Sequence, residues 1–356
     1  MEPFGCYVHI PFCAARCDYC AFATWTDRAH LVDRYLRACR RQVEAEVAAG
    51  LPPVTSVFVG GGTPSMVDAE ALLEVVAPLP LAPGAEVTVE CNPDTVTDTM
   101  LRTYAAGGVD RVSLGVQSMV PHVLEALGRT HDPDGVGRAV ALLRATGFER
   151  WSLDLIYGAA GESLADWAES LDAALALDPP HVSAYGLTVE PGTALFDAPE
   201  RHPDDDDQAD KYLLATERFA AAGLDWYEIS NWARPGQECR HNLLYWSQGD
   251  YLAIGCAAHG HRRGRRYWNV RTPERYVDAV EHGRSPVAAD ERLDDEGRRV
   301  EGLQLALRTT DGVPADALPL DADPALADLV VVDDAGRAHL TVAGRLLANE
   351  VAVRLR

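Results

Sequence analysis

The sequence predicts an α/β protein: a partial (β/α)6 barrel of the TIM-like type, followed by a C-terminal helical, winged-helix-like module. Three observations support this fold class. Six short apolar runs alternate with helical patterns before residue 190, which is typical of parallel strands joined by right-handed crossovers. Polar or glycine residues follow these runs, as at the carboxyl rim of a barrel. The alternation stops after residue 190, and a chain of 356 residues has room for a second, smaller unit.

The barrel elements follow one another in order. A first strand is predicted over Phe4–Ile10, and Pro11 ends it. A helix follows over 28–49, because its apolar residues recur at helical spacing and Gly50 with Pro52 ends the pattern. The remaining strands are predicted over 56–59, 87–90, 111–116, 152–156 and 181–187, with helices from about 68, over 97–106, up to 146 and over 163–177.

The chain is divided by these patterns into a barrel over 1–225, a barrel extension over 226–289 and a C-terminal module over 290–356. A helix over 206–222 and a strand over 226–229 lead into a stretch of low periodicity over 230–270. The module contains a helix over 296–307, two short strands around the Gly336 turn and a final helix to 355. Its acidic surroundings favour packing on the barrel over DNA binding.

The charge balance, the distribution of cysteines and the lengths of the apolar runs exclude several classes of function. The chain has 32 basic and 54 acidic residues, a net charge of -22, which argues against nucleic-acid binding. Five of the eight cysteines are scattered through apolar or helical stretches, as buried small hydrophobes are. No signal peptide and no apolar run of transmembrane length is visible, so we expect a cytoplasmic protein.

Three cysteines with the spacing C-x3-C-x2-C follow the first strand directly: Cys13, Cys17 and Cys20. Thiolates this close together can hold three corners of a 4Fe-4S cluster and leave one iron open to a small molecule. Two other interpretations remain open at this point. Zinc prefers four ligands, often in two separated pairs, and no second pair follows. Disulfides suit small secreted domains, which this chain is not.

Four blocks resemble the family of the oxygen-independent coproporphyrinogen III oxidase HemN and its relative HemW, within the radical SAM superfamily. They are Tyr7-Val-His-Ile-Pro-Phe-Cys13, Gly60-Gly-Gly-Thr-Pro64, Ser113-Leu-Gly-Val-Gln117-Ser and Asp154-Leu-Ile-Tyr-Gly158. The resemblance implies a 4Fe-4S cluster on the three cysteines, an electron donor for it, and S-adenosyl-L-methionine (SAM) on its open iron. The implied SAM-binding positions are Tyr7, Tyr19, Gly61, Gly62, Thr63, Glu90, Gln117, Arg129, Asp154 and Thr188, and the residues near Ala258 and His259 are further candidates.

Three features favour the HemW branch. Phe22 stands where the oxidase pattern has a fourth cysteine, and Tyr7 lies almost at the start, without the long N-terminal extension of the oxidase. The run Arg240-His-Asn-Leu-Leu-Tyr-Trp246 is similar to the HNxxYW motif of HemW. The resemblance therefore implies a heme chaperone that passes heme to acceptor proteins. The alternative is the enzyme activity, radical SAM oxidative decarboxylation by a coproporphyrinogen III dehydrogenase.

His241 is the predicted heme ligand. A neutral imidazole is a good axial ligand, and Tyr245 and Trp246 offer flat apolar faces to a porphyrin. A histidine beside aromatic residues is, however, more often a packed core residue. His259 and His261 are further candidates, because nearby arginines can pair with heme propionates.

Overall fold

The computed structural model describes residues 2–129 and 132–355. Its central element is a twelve-stranded sheet. The strands of its central part pair in parallel and in chain order: β1 Phe4–Ile10, β2 Val54–Gly61, β3 Leu81–Cys91, β4 Arg111–Gln117, β5 Arg150–Tyr157 and β6 His181–Gly186. The predicted partial (β/α)6 barrel is confirmed.

Helices connect these strands and follow the last of them: α1 Val32–Ala48, α2 Ala69–Val76, α3 Asp98–Ala106, α4 Pro121–Ala126, α5 Pro133–Ala145, α6 Leu164–Ala176 and α7 Asp205–Ala221. Side chains at their first turns fix where several of them begin. Asp68, Thr97 and Ser163 each accept a hydrogen bond from a backbone N–H of the helix that follows. Each such cap stabilises its helix by about 1 kcal/mol.

The barrel strands place different chemistry on their two faces. In β4, Val112, Leu114 and Val116 are fully buried and belong to the main hydrophobic core. The alternate residues Arg111 and Ser113 line the barrel cavity instead. Because successive side chains of a strand point to opposite faces, one sequence builds both an apolar layer under the helices and a polar interior.

The second segment extends both edges of the sheet. Its elements are β7 Asp225–Glu228, β8 Asn231–Ala233, α8 Arg240–Trp246, β9 Asp250–Ile254, β10 His259–Arg262, β11 Arg265–Asn269, α9 Pro273–Glu281 and β12 Val287–Arg292. β8 pairs antiparallel with β6, and β9 pairs parallel with β1. The hairpin between β10 and β11 turns through Arg263 and Gly264, whose positive φ angles of 51° and 75° are typical of a type I′ turn. The stretch of low periodicity over 230–270 is thus largely regular structure.

The C-terminal module has its own small sheet and core. It contains α10 Asp295–Ala306, β13 Val313–Pro314, β14 Val330–Val332, β15 Arg337–Leu340, α11 Val342–Leu346 and α12 Ala348–Ala352. The strands form an antiparallel sheet in the order β13-β15-β14, and a separate cluster of buried residues, including Leu307, Leu340 and Val351, packs beneath it. The single final helix predicted from the sequence is two short helices that meet at Leu347. The division at residues 225 and 289 stays a prediction. Among the described residues, no helix is both long and apolar enough to span a bilayer.

Candidate functional site

A cavity of about 1470 Å³ occupies the barrel interior and its carboxyl rim. Pockets for small ligands commonly measure about 300–1000 Å³, so this one has room for more than one such molecule. Nearly all the residues predicted from the sequence line it: Cys13, Cys17, Cys20, Tyr7, Tyr19, Gly61, Gly62, Thr63, Glu90, Gln117, Arg129 and Asp154. The fold therefore brings together residues that lie far apart in the chain.

The cysteine loop is held at both ends by backbone hydrogen bonds. Trp25 N–H donates to the Pro11 carbonyl (2.7 Å), and Cys13 N–H donates to the Trp25 carbonyl (3.1 Å). Two polar side chains approach the sulfur atoms: Thr63 Oγ1 lies 3.7 Å from Cys13 Sγ, and Arg129 Nη1 lies 3.6 Å from Cys17 Sγ. Donors at this distance stabilise negative charge on sulfur. We call residues 13–20 and 61–63 the cysteine rim.

The donor set of the cysteine rim suits a cluster. Within residues 2–129 and 132–355, no three His, Cys, Asp or Glu side chains surround a single metal-ion position. The thiolates of a cubane cluster each bind a separate iron, so they need not converge on one point. Burial raises the pKa of the Cys13 and Cys20 thiols, and iron binding would therefore release protons.

The glycine turn after β2 packs directly on the cysteine loop. Gly61 has a φ of 109°, in the region that favours glycine, and a Cβ there would lie 2.3 Å from His9 Nδ1. A Cβ on Gly62 would lie 2.7 Å from the Phe12 carbonyl oxygen and 3.0 Å from Cys13 Sγ. Only glycine at these positions allows the two segments to approach this closely. The N–H groups of the turn thus lie beside the cysteines.

Two half-buried carboxyl groups line the interior. Glu90 Oε2 accepts a hydrogen bond from Gly61 N–H (3.1 Å), and burial, with a smaller effect of Asp154, raises the pKa of Glu90 to about 7. Asp154 accepts hydrogen bonds from Ser113 Oγ (2.6 Å) and Ser183 Oγ (2.7 Å), and burial raises its pKa as well. Such carboxyl groups can accept hydrogen bonds from ligand hydroxyl or ammonium groups.

Gln117 has a strained backbone conformation, and Arg129 is fixed by two hydrogen bonds of its guanidinium group. Gln117 has a φ of 65° beside a register shift between Gly115 and Gln117. A non-glycine residue in this region costs about 1–3 kcal/mol, and such strain often marks functional sites. Arg129 Nη2 donates to Asn92 Oδ1 (3.0 Å) and to the Gly115 carbonyl (2.8 Å), which fixes its guanidinium in the cavity wall.

Tyr7 and Tyr19 contribute phenol groups to the same wall. Tyr7 OH lies 3.1 Å from His9 Nδ1, and its ring stacks on Phe58. Burial raises the pKa of both phenols well above the usual value, so each stays protonated and can donate a hydrogen bond.

Thr188 and His241 do not line the cavity. Thr188 is exposed, and its hydroxyl donates to the Gly186 carbonyl. His241 is fully buried, with Nδ1 2.9 Å from Ser56 Oγ and Nε2 2.8 Å from Tyr245 OH. Burial lowers the pKa of its imidazole to about 4. Both roles stay predictions, and iron ligation by His241 requires one of these two hydrogen bonds to break.

Several cavity residues were not singled out as binding residues from the sequence. Asn242 of α8 lines the cavity, whereas His241 does not; Tyr245, whose ring was expected to face a porphyrin, lines it as well. Arg111, Trp268, Arg271 and Arg275 line it too. The alternation of β4 gives a signal for Arg111, because the residue starts a strand whose every second side chain is polar. No comparable pattern marks Trp268, Arg271 and Arg275, since Trp268 lies in a strand of only five residues and the two arginines come after it.

The chain is similar to known proteins over most of its length. Residues 7–174 match the family model of the Radical SAM superfamily. The heme chaperone HemW of Mycobacterium tuberculosis is 43% identical over 367 residues, which cover 98% of this chain and 94% of that protein. The heme chaperone HemW of Escherichia coli is 34% identical over 368 residues, covering 99% of this chain and 97% of the relative.

Among solved structures, coproporphyrinogen III oxidase (HemN) from Escherichia coli, a radical SAM enzyme, superposes with a TM-score of 0.85. The match covers 99% of this chain and 89% of that one, at 21% sequence identity. At this identity the likeness establishes the fold alone.

Proposed function

The chain belongs to the HemW family of heme chaperones, and we propose that it binds heme in its barrel cavity and passes it to acceptor proteins. The relatives that carry this name match almost the full chain. The radical SAM superfamily implies a 4Fe-4S cluster and SAM, and the cysteine rim offers a donor set that suits them.

In this proposal, Cys13, Cys17 and Cys20 hold the cluster, and the glycine turn and Glu90 bind SAM. When bound, the cluster can supply an electron to SAM. The N–H groups of the turn lie against the cysteine loop, and Glu90 lies within 3.1 Å of Gly61 N. Tyr7, Tyr19, Gln117, Arg129 and Asp154 supply further donors and acceptors to the same wall. Thr188 is a weaker candidate, because its side chain is outside the cavity.

The observation that carries the heme proposal is the size and lining of the cavity. Its volume of about 1470 Å³ reaches from the cysteine rim to the HNxxYW helix, α8. On that side, the rings of Tyr245 and Tyr251 lie 4.6 Å apart at 69° and both line the cavity. Aromatic faces next to a volume this large suit a flat tetrapyrrole beside SAM.

Phe22 supports the chaperone over the oxidase. It stands where the oxidase pattern has a fourth cysteine, lines the same cavity and is 62% exposed. An exposed aromatic ring at the mouth of a cavity provides contact area for an apolar ligand. The side chain cannot ligate iron, which leaves three thiols to the cluster.

Two assays on anaerobically reconstituted protein test the proposal. The first titrates heme and then adds apomyoglobin as an acceptor probe; we expect one heme to bind and to leave to the acceptor. The second supplies SAM, a reductant and coproporphyrinogen III, and we expect no protoporphyrinogen.

Formation of protoporphyrinogen would establish the dehydrogenase instead. Absence of saturable heme binding by protein that carries its cluster would refute the chaperone.

A further inference from the structure

A heme ligand needs a ring nitrogen that is free and reaches the cavity. Three histidines of the described part line the cavity: His9, His181 and His259. His9 uses both nitrogens, Nδ1 with Tyr7 OH and Nε2 with the Ala23 carbonyl (2.9 Å). His181 is 1% exposed, and its Nε2 lies 2.8 Å from Tyr227 OH. His9 therefore has no free nitrogen, and the unpartnered nitrogen of His181, Nδ1, is buried away from the cavity surface.

His259 differs from both. It lies at the start of β10, and its side chain is exposed to the cavity. No hydrogen bond or ion pair joins its ring to any other residue in 2–129 or 132–355. The ring stacks on Trp268, with centroids 5.8 Å apart and an interplanar angle of 25°. A histidine oriented by an aromatic neighbour, with both nitrogens available, is suited to ligate a metal.

The hairpin makes this arrangement rigid. His259 and Trp268 are directly opposite each other in the antiparallel pair of β10 and β11. Their neighbour Gly260 leaves no space for a side chain, since a Cβ there would lie 2.4 Å from the ring of Tyr267. The imidazole therefore sits on a fixed strand pair rather than on a free loop.

Two arginines next to the hairpin lack partners. Arg271 and Arg275 line the same cavity and are exposed, and neither side chain forms a hydrogen bond or ion pair with another described residue. The strand arginines Arg265 and Arg266, by contrast, are paired with Asp290 and Glu291. In a chain with a net charge of -22, two unpaired cations at a cavity wall point to an anionic ligand.

We propose that His259 is the axial ligand of the heme iron and that Arg271 and Arg275 bind the heme propionates. We call these three residues and Trp268 the hairpin edge. The proposal rests on the proposed heme function and adds its site. The imidazole donates a nitrogen lone pair to iron, and no redox step is involved. His241 then acts as a positioning residue that orients the Tyr245 hydroxyl.

Heme titration of cluster-loaded His259→Ala, followed by absorption and electron paramagnetic resonance spectra, tests the ligand. We expect the histidine-ligated signature to disappear and the affinity to fall by about tenfold or more. Added imidazole should restore the signature in this variant, which a merely structural role would not predict. His30→Ala, an exposed histidine outside the cavity, is the matched control and should behave as wild type.

The arginines are tested with heme and its dimethyl ester, which lacks free carboxylates. Arg271→Ala with Arg275→Ala should weaken heme binding by about tenfold and leave ester binding unchanged.

An unchanged spectrum in His259→Ala, with wild type binding heme, would overturn the inference and leave the proposed function standing. An equal loss of affinity for heme and for the dimethyl ester would show that the two arginines do not bind the propionates. Failure of wild type itself to bind heme would refute both proposals.

Discussion

The cysteine rim and the hairpin edge border one cavity, but they differ in how many of their polar side chains have partners within the protein. In the rim, Thr63 and Arg129 approach the sulfur atoms and the glycine turn donates to a half-buried carboxyl group. At the edge, the imidazole of His259 and the guanidinium of Arg271 have no hydrogen-bond or ion-pair partner among the described residues. A site whose atoms are satisfied by the protein suits a resident cofactor. A site with unsatisfied groups suits a cargo that binds and leaves.

The largest expected effect comes from substitutions that remove the cysteines of the rim and leave the hairpin edge unchanged. Replacing Cys13, Cys17 and Cys20 together by Ala removes every thiolate that we assign to the cluster, so iron and sulfide in the reconstituted protein should fall to background. Iron and sulfide analysis with absorption spectra measures this. Because the hairpin edge shares none of these ligands, His259 and the arginines should keep their heme contacts.

Cys39→Ala is the control, since Cys39 is a fully buried cysteine of α1 outside the cavity. It should retain the full cluster content. Iron and sulfide at wild-type levels in the triple variant would remove the three cysteines as ligands.

The next effect concerns α8, two of whose residues line the same cavity as the hairpin edge. His241→Ala leaves the Ser56 and Tyr245 hydroxyls without their buried partner and opens a cavity, so the free energy of unfolding should fall by about 3–4 kcal/mol. Urea denaturation measures it. The histidine-ligated heme signature should persist, because the ligand is His259.

His282→Ala provides the comparison, since that histidine is exposed and should change stability by less than about 0.5 kcal/mol. Loss of the heme signature in folded His241→Ala, with the signature kept in His259→Ala, would return the ligand role to His241.

A pH-dependent group, Glu90, is hydrogen-bonded to Gly61 of the rim. Burial raises the pKa of Glu90 from 4.5 to about 7, so the folded chain keeps a proton that the unfolded chain has lost between these values. This contribution to stability is present below pH 4.5 and is lost as the pH rises toward 7. Glu90→Gln lacks it, so the variant should gain about 2–3 kcal/mol relative to wild type between about pH 5 and about pH 8.

Chemical denaturation at the two pH values measures the difference. The exposed Glu70→Gln should show no such change relative to wild type. A Glu90→Gln difference that does not vary with pH would mean that Glu90 is ionised across the whole range.

The barrel was predictable because its strands and helices have strong periodicity. The first strand was predicted over its observed residues, and the predicted helix over 163–177 is observed over Leu164–Ala176 with Ser163 as its cap. Motif residues such as Gly61 and Glu90 lie at the carboxyl ends of these strands, so their convergence on one rim could be inferred from topology.

The hairpin edge was predicted only in part: His259 was a further candidate from the sequence, but Trp268, Arg271 and Arg275 were not. Its strands have four or five residues, too few for a clear alternation, and the Arg263-Gly264 turn is not a common hairpin signal. The motif drew attention to His241, but sequence does not show which side of α8 faces the cavity. The structure shows that Asn242 and Tyr245 do.

The smallest expected effect tests how closely the glycine turn packs on the cysteine loop. At the hairpin edge, by contrast, the histidine and arginine side chains are exposed to the cavity. A Cβ on Gly62 would lie 2.7 Å from a carbonyl oxygen and 3.0 Å from Cys13 Sγ, so Gly62→Ala must push the turn away from the cysteine loop. Overpacking of this kind costs about 1–3 kcal/mol. Because the shifted atoms include a cluster ligand, cluster content after reconstitution should fall as well.

Gly137→Ala is the matched control, because Gly137 lies within α5, has nothing within 4 Å of its added Cβ and no positive φ. That substitution should stabilise the chain by about 0.5–1 kcal/mol through helix propensity and leave the cluster unchanged. Thermal unfolding and iron analysis of the two variants measure both effects. If Gly62→Ala kept wild-type stability and iron content, the turn would accommodate a methyl group without strain. The contrast between a closely packed rim and an open hairpin edge would then fail.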